Sequence, residues 1–214
     1  LSDIMAVDGL ASSGLPATID FDKKCKFKIA IISSYNLNRS MEAHKLLSQH
    51  GFNVKSFGAC RTVKIESDVP KKPNCYNYDV SYEKMIKDLT KQNFEYYKST
   101  EILSMLNRNK LIKIKPERFS IEHHFDLIIT VDDQIYDKII DYFYFKQPQC
   151  DRAALIVNIN IKDDPQEAKS GAIYIIKICE ELLKLSNLEN QIDNKIGELE
   201  SIFKKNIFYV LLYY

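Results

Sequence analysis

The chain has 214 residues, of which 45% are hydrophobic and 28% are charged, and its formal net charge is +1. This length and composition fit a single globular domain with a full core, and a net charge near zero gives no global electrostatic case for nucleic-acid binding. No apolar run reaches the length of a membrane span, about 18 residues. The five cysteines are spread along the chain without a Cys-x-x-Cys pair, which argues against structural zinc and fits a reducing compartment.

The first 22 residues are rich in Ala, Ser and Gly and show no charge pattern. We interpret residues 1–22 as a poorly ordered extension or an expression-vector remnant, with a short helix around residues 4–10 as the remaining alternative. Residues 23–214 are then predicted to form a single domain.

A strand pattern at residues 26–32 is followed by a mostly polar loop and by a helix pattern at residues 40–50. Strand, loop and helix N-terminus in this order make an anion site, because free N–H groups and the helix dipole favour negative charge there. Arg39 adds a guanidinium that matches two phosphate oxygens, and Ser40 is predicted to be the helix N-cap. An ordinary strand-to-helix turn with a solvated Arg is the plainer alternative.

Strand and helix patterns alternate along the rest of the chain. The strand patterns cover residues 53–57, 125–131 and 153–161, and residues 206–213 form a final apolar segment that either pairs as a strand or covers the core. The helix patterns cover residues 81–91, 93–106, 134–145, 166–185 and 188–203. Residues 58–79 are predicted to be a loop. This alternation predicts an α/β fold with a mainly parallel sheet.

Polar residues follow three of the predicted strands. In parallel sheets ligands bind outside the carboxyl ends of the strands, so we expect Ser33, the Asp132–Asp133 pair and the Asp163–Asp164 pair to gather at one edge. Spacing alone favours a capping role for the two acidic pairs, because each precedes a helix pattern.

The segment from residue 33 to residue 44 resembles the phosphate loop of one phosphatase family. These are the eukaryotic phosphatases that remove phosphate from serine in the C-terminal domain of RNA polymerase II, within the cleavage and polyadenylation machinery. The family loop has the form Cys-x5-Arg and reads Cys-Ser-Ser-Asn-x-Asn-Arg-Ser-Met-Glu-Ala-His. This chain differs by Ser33 for Cys and Tyr35 for Ser. Matches continue to Tyr214 and include Pro-Glu-Arg-Phe at residues 116–119.

The resemblance implies a three-layer α/β sandwich like that of the low-molecular-weight tyrosine phosphatases, with extra helices that form a substrate groove. It places Ser33 at the nucleophile position, Arg39 at the phosphate and Asp163 as the general acid, with Asp164 as the runner-up. No cofactor and no metal are implied. The implied phosphate-binding residues are Ser34, Tyr35, Asn36, Leu37, Asn38, Arg39 and Ser40.

The same resemblance assigns Lys64, Tyr97 and Met105 to the substrate groove, although spacing alone favours core positions for Tyr97 and Met105. This chain has Glu66 and Asp68 where relatives have a Pro-Gly-Pro turn, and two acids beside an anionic substrate would weaken binding. It also has Asn160 where relatives have an Asp close to the general acid.

A basic run lies after the second groove helix. The spacing of its charges predicts a solvated face. Two strings in this run, Leu-x-Arg-Asn-Lys and Lys-Pro-Glu-Arg-Phe, also match the family. Its members are Arg108, Lys110, Lys113, Lys115 and Arg118.

Ser33 decides the expected activity, because a serine hydroxyl does not ionise as a thiol does without a dedicated base. We therefore expect the chain to bind phosphate and to turn over little or nothing. Two explanations are open: an engineered Cys-to-Ser substrate trap of an active enzyme, or a natural pseudophosphatase that acts as a phosphopeptide-binding scaffold subunit. The match of the remaining loop favours the trap.

The resemblance also implies a substrate, partners and a location. The substrate is phosphoserine followed by a cis proline, at the fifth heptad position of the polymerase C-terminal domain. The implied partners are this domain and a symplekin-type scaffold of the cleavage and polyadenylation complex, in the nucleus, with no direct nucleic acid and no membrane. A small tyrosine phosphatase or an arsenate reductase relative is the remaining alternative.

Overall fold

The computed structural model describes residues 21–146 and 150–214, so the expectations for residues 1–20 lie outside the described residues. The helices are α1 (Phe21–Lys26), α2 (Arg39–Gln49), α3 (Tyr82–Ser99), α4 (Ile102–Ile112), α5 (Asp133–Lys146), α6 (Pro165–Lys184) and α7 (Leu188–Phe203). The strands are β1 (Lys28–Ser33), β2 (Asn53–Gly58), β3 (Val63–Ile65), β4 (Asn74–Tyr76), β5 (Leu127–Thr130), β6 (Ala153–Ile159) and β7 (Ile207–Tyr213). Within the described ranges, no helix is long and apolar enough to cross a membrane.

Five strands form the central sheet in the order β2-β1-β5-β6-β7. The first four strands are parallel and β7 is antiparallel to β6. Successive side chains of a strand point to opposite faces, and here both faces are covered. Ile29 and Ile31 pack with α2, α6 and α7, whereas Ala30 and Ile32 pack with α5. The predicted three-layer α/β fold with a mainly parallel sheet is therefore confirmed.

A third cluster of buried side chains lies beside the sheet, and we call it the groove core. It joins α3, α4 and the short strand β3 to the loop after β1. Its fully or nearly buried members are Leu37, Met41, Val63, Ile65, Tyr82, Met85, Leu89, Tyr97, Leu103 and Leu106. Helices α3 and α4 are the extra helices that the resemblance implied.

Two element boundaries differ from the prediction in this region. The predicted loop at residues 58–79 contains the antiparallel pair β3–β4, which is too short to give a clear periodic signal. The helix predicted to begin at Asn93 is instead the second half of α3, since Asn93 is a non-helical kink with φ −161° and ψ 88°. Its side-chain oxygen accepts a hydrogen bond from Tyr96 N–H at 3.1 Å, as an N-cap does.

Candidate phosphate-binding site

The loop between β1 and α2 lies at the carboxyl edge of the sheet, and its polar side chains are buried. Ser33 is 3% exposed, Arg39 is 5% exposed, and Asn36 and Ser40 are fully buried. Burial of polar groups is unfavourable unless each is hydrogen-bonded. The polar side chains of the loop are therefore part of a buried hydrogen-bonded network, and the plainer alternative is wrong in expecting a solvated Arg39.

Asn36 holds the loop in shape from its centre. Its backbone has φ 57°, a left-handed conformation that Asn tolerates better than most residues. The side-chain oxygen accepts a hydrogen bond from Glu117 N–H at 3.0 Å, and the backbone carbonyl accepts one from Tyr82 Oη at 2.7 Å. The side-chain Nδ2 donates to Ser40 Oγ at 3.1 Å. Asn36 thus ties the loop to the segment before β5 and to α3.

Ser40 faces the nucleophile position instead of capping the helix. The N-cap of α2 is Asn38, which makes no side-chain capping hydrogen bond, so the prediction that Ser40 is the N-cap is wrong. Ser40 Oγ lies 2.8 Å from Ser33 Oγ. Because Ser40 accepts from Asn36 Nδ2, its own proton is available for Ser33, whose Oγ also accepts from Asn36 N–H at 3.2 Å.

The backbone of the loop presents N–H groups to the site. Among the predicted phosphate-binding residues, only Asn36 donates its N–H within the described part of the chain. The loop carbonyls are held from outside, for example Leu37 O by Asn109 Nδ2 at 2.7 Å. Since the C=O and N–H of a trans peptide point in opposite directions, carbonyls held outward turn the following N–H groups inward. Inward N–H groups at a helix N-terminus have the geometry of an anion-binding nest.

Arg39 closes the loop with a guanidinium that is anchored on one side. Its Nη1 donates to Ile161 O at 2.7 Å and to Val131 O at 3.0 Å. Its Nη2 lies 3.4 Å from Asp163 Oδ2, and its buried Nε has no hydrogen-bond partner among the described residues. The Nε and Nη2 donors form one edge of the guanidinium, which can bind two oxygens of a tetrahedral anion.

The acidic residues divide into different roles at this edge. Asp163 is half exposed, and its Oδ1 accepts a hydrogen bond from Asn38 Nδ2 at 3.0 Å. Asp164, the second candidate for the general acid, instead caps α6 by accepting from Gln166 N–H and Glu167 N–H. Its carboxylate therefore has a structural role. Asp163 therefore remains the candidate acid beside Arg39.

The other acidic pair makes structural contacts, and the capping role that spacing suggested is confirmed for Asp132 but wrong for Asp133. Asp132 Oδ1 accepts from Gln134 N–H at 3.0 Å in the first turn of α5, and its Oδ2 lies 3.4 Å from Arg39 Nη1. Asp133 accepts from the side-chain amides of Asn158 at 2.7 Å and Asn160 at 2.9 Å. Asn160 thus donates its hydrogen bond to Asp133. The side-chain hydrogen bond that Asp163 accepts comes instead from Asn38 in the loop.

A cavity of about 490 Å³ opens from Ser33 along the groove helices. Lys64 and Met105 line it, together with Tyr35, Asp163 and the unpredicted wall residues Ile102 and Arg108. Tyr97 does not line it. That residue is fully buried in the groove core, where its hydroxyl accepts from Asn74 Nδ2 at 2.8 Å, so its predicted position in the groove is wrong. The core position that spacing favoured is the one observed.

The two acids of the β3–β4 segment occupy different places. Glu66 lines the cavity, where its charge is unfavourable for an anionic substrate. Asp68 accepts from Asn93 Nδ2 at 2.8 Å and does not line it. One negative charge of this pair therefore faces the substrate path.

Burial shifts two titrations near the loop. Desolvation, with smaller contributions from Cys60 and Asp163, raises the pKa of the Tyr35 phenol, which stays neutral at physiological pH. Burial, followed by the Lys113 cation, lowers the pKa of His44 to about 4. The His44 Nδ1 lies 2.8 Å from Ser56 Oγ, so this neutral imidazole serves the α2–β2 contact and not Ser33.

Arg108 is the site residue that the sequence interpretation missed. By spacing it belonged to a solvated basic face, but its side chain is only 18% exposed and pairs with Glu42. Its Nη2 also donates to Leu37 O at 2.7 Å. The signal that could have found it was the match of the Leu-x-Arg-Asn-Lys string to the family.

Comparisons with known proteins agree with this geometry. Residues 27–214 match the family model described as Ssu72-like protein. The chain is 36% identical over 188 residues to the RNA polymerase II C-terminal domain phosphatase SSU72 of Xenopus laevis, and the match covers 87% of this chain and 97% of the relative. The Homo sapiens phosphatase of the same name is also 36% identical, with the same coverage.

Solved structures give the same result. The serine phosphatase of the RNA polymerase II CTD from Drosophila melanogaster superposes with a TM-score of 0.84 at 36% identity, covering 88% of this chain and all (100%) of that one. A second Drosophila structure contains Ssu72 with symplekin and a cis peptidomimetic CTD peptide that carries phosphate on the fifth-position serine. It matches with a TM-score of 0.83 at 35% identity over 88% of this chain and 99% of that one. By sequence and by fold, this chain belongs to the Ssu72-like protein family.

Proposed function

We propose that this protein recognises phosphoserine followed by proline in the C-terminal domain of RNA polymerase II, and that its site is built for phosphoserine hydrolysis by a cysteine at position 33. The observation that carries the proposal is the unpartnered buried Nε of Arg39, at one end of a loop whose N–H groups, apart from that of Asn36, have no acceptor among the described residues. A phosphate dianion supplies the oxygens that these donors need.

The reaction needs a thiolate at position 33. Its sulfur attacks phosphorus, the bond from phosphorus to the serine oxygen breaks, and Asp163 donates a proton to that leaving oxygen. Asp163 then takes a proton from water, the water oxygen attacks phosphorus, and the S–P bond breaks to release inorganic phosphate and the thiolate. Throughout, Arg39 and the loop N–H groups stabilise the equatorial oxygens, while the Ser40 hydroxyl donates a hydrogen bond to the thiolate.

Ser33 stops this sequence at its first step. The neighbours of Ser33 Oγ are the Ser40 hydroxyl and the Asn36 N–H, and neither is a base. A hydroxyl without a base is a poor nucleophile at neutral pH. The chain with Ser33 therefore binds phosphorylated peptide and does not turn it over, as a substrate trap or a scaffold subunit would.

The peptide lies along the cavity past α4 in this proposal. Lys64 attracts the anionic substrate, and Met105 contributes an apolar surface for the proline. The Drosophila relative was solved with symplekin and with a cis peptidomimetic phosphorylated on the fifth-position serine. We extend that substrate, a symplekin-type partner and a nuclear location to this protein.

The test is phosphate release from a phosphoserine-proline heptad peptide, measured for the chain with Ser33 and for Ser33→Cys. We expect the Ser33→Cys variant to turn the peptide over and the Ser33 chain only to bind it. A matched phosphotyrosine peptide serves as the control, because the groove favours proline after phosphoserine.

Each other outcome has a defined meaning. If Ser33→Cys binds the peptide without turnover, the phosphatase proposal fails and the scaffold role remains. Preference for the phosphotyrosine peptide would support the small tyrosine phosphatase alternative instead. Turnover by the chain with Ser33 itself would refute the role given to position 33.

A further inference from the structure

Arg108 makes an unusually complete set of contacts for a residue in a cavity wall. Its Nη1 pairs with Glu42 on α2, and its Nη2 donates to Leu37 O in the phosphate loop at 2.7 Å. Its Nε and Nη2 also donate to Asn109 Oδ1 at 3.0 and 2.8 Å. Because four of its five N–H donors are directed to protein groups, Arg108 acts mainly on the loop and on Glu42.

The contact with the loop sets the direction of one peptide group. Leu37 O accepts from both Arg108 Nη2 and Asn109 Nδ2, each at 2.7 Å. In the trans peptide that follows, the N–H of Asn38 points away from that carbonyl. Holding Leu37 O toward α4 therefore aims Asn38 N–H into the nest. Tyr82 Oη fixes the preceding peptide in the same way through Asn36 O.

The ion pair with Glu42 neutralises a negative charge in the cavity wall. The Glu42 side chain is 14% exposed and lines the same cavity as Ser33. An unpaired carboxylate there would repel a phosphate dianion, and partial burial would leave that repulsion poorly screened. The Arg108 guanidinium neutralises Glu42 in place.

We propose that Arg108 is a positioning residue of the phosphate site: it orients the Leu37–Asn38 peptide for anion binding and cancels the charge of Glu42 beside the bound phosphate. The inference rests on the proposed function, since it assumes that the loop binds phosphate. It also links groove and loop, because Arg108 and the groove residue Met105 lie on the same helix.

The test is calorimetric titration of the full chain with inorganic phosphate. We expect Arg108→Met to weaken binding about tenfold, because it removes one of the two donors that hold Leu37 O and leaves the Glu42 carboxylate unpaired. Adding Glu42→Gln to that variant should recover part of the lost affinity, and Glu42→Gln alone should tighten binding. Lys110→Met, an exposed cation on the same helix, is the matched control and should bind as the unchanged chain does.

The outcomes separate this inference from the proposed function. If the unchanged chain does not bind phosphate, the proposed function fails, and this inference fails with it. If it binds and Arg108→Met binds equally well, or if Glu42→Gln recovers nothing in the double variant, only the inference is overturned. Circular dichroism verifies the fold. Should Arg108→Met not fold, Arg108→Lys keeps the charge but cannot serve Leu37 and Glu42 together, and unchanged phosphate affinity in that variant would overturn the inference.

Discussion

Replacing Asn36 with Ala tests whether one buried side chain holds the phosphate loop together. The substitution removes the hydrogen bonds to Glu117 N–H and Ser40 Oγ. A buried N–H left without an acceptor costs about 1 to 3 kcal/mol, and the lost bond to Ser40 about 1 kcal/mol more. Ala in the left-handed conformation at φ 57° adds about 1 kcal/mol. We expect Asn36→Ala to lower the free energy of unfolding by about 3 to 5 kcal/mol.

Urea unfolding measures this loss, and Asn36→Gly separates its two causes. Gly loses the same side-chain hydrogen bonds but adopts the left-handed conformation freely, so Asn36→Gly should be about 1 kcal/mol more stable than Asn36→Ala. Both variants should lose phosphate affinity, because the Ser40 hydroxyl is no longer oriented. A destabilisation below about 1 kcal/mol for Asn36→Ala would refute the central role of this residue in the loop.

Three further predictions concern chemistry, pH and charge. In the Ser33→Cys background, Asp163→Asn should lower kcat on a phosphoserine peptide by about 100-fold or more, but much less on p-nitrophenyl phosphate, whose leaving group needs no proton. Because burial lowers the pKa of His44 from its ordinary 6.5 to about 4, the unfolded chain binds a proton that the folded chain does not, so stability should fall by at most about 3 kcal/mol as pH drops from 6.5 to 4. Glu66→Gln should tighten phosphopeptide binding about threefold at low salt, since it removes a charge from the cavity wall.

Each of these has a control in the same chain. Asp164→Asn should destabilise α6 without a dependence on the leaving group, and an equal loss on both substrates for Asp163→Asn would exclude an acid role. His44→Gln should flatten the pH dependence of urea unfolding between pH 6.5 and 4, and an unchanged slope would contradict the shifted titration. Asp68→Asn should leave peptide affinity as it is, because Asp68 faces Asn93 and not the cavity.

The sheet and its site could be foreseen from local patterns. The apolar strands are buried on both faces and read as continuous runs, and the loop from Ser33 to Ser40 follows the first of them directly. Ser81 opens the helix pattern of residues 81–91, and its Oγ accepts from Lys84 N–H at 3.2 Å as an N-cap does. The strands, the loop after β1 and the Ser81 cap could be predicted because each is determined by residues close together in sequence.

The residues whose roles were mispredicted depend on side-chain contacts that residue type and spacing do not reveal. Ser40 has the right type and position for an N-cap, but a hydrogen bond to Asn36 directs its hydroxyl to Ser33. Arg108 looks like one member of a solvated basic run, and its role appears only when α4 meets the loop. The resemblance assigns Tyr97 to the groove, yet its ring is buried in the groove core.

The groove core also has a bearing on how such enzymes diversify. Its buried side chains come mostly from α3, α4 and β3, whereas the sheet that carries Ser33 and Asp163 packs through two other clusters. Leu37 and Tyr82 join this core to the loop after β1, so the members open to change are those on α3, α4 and β3 other than Tyr82. In terms of the proposed function, substitutions at those members change peptide preference more than phosphate chemistry. A library confined to them is a route to phosphatases that read other proline-directed marks.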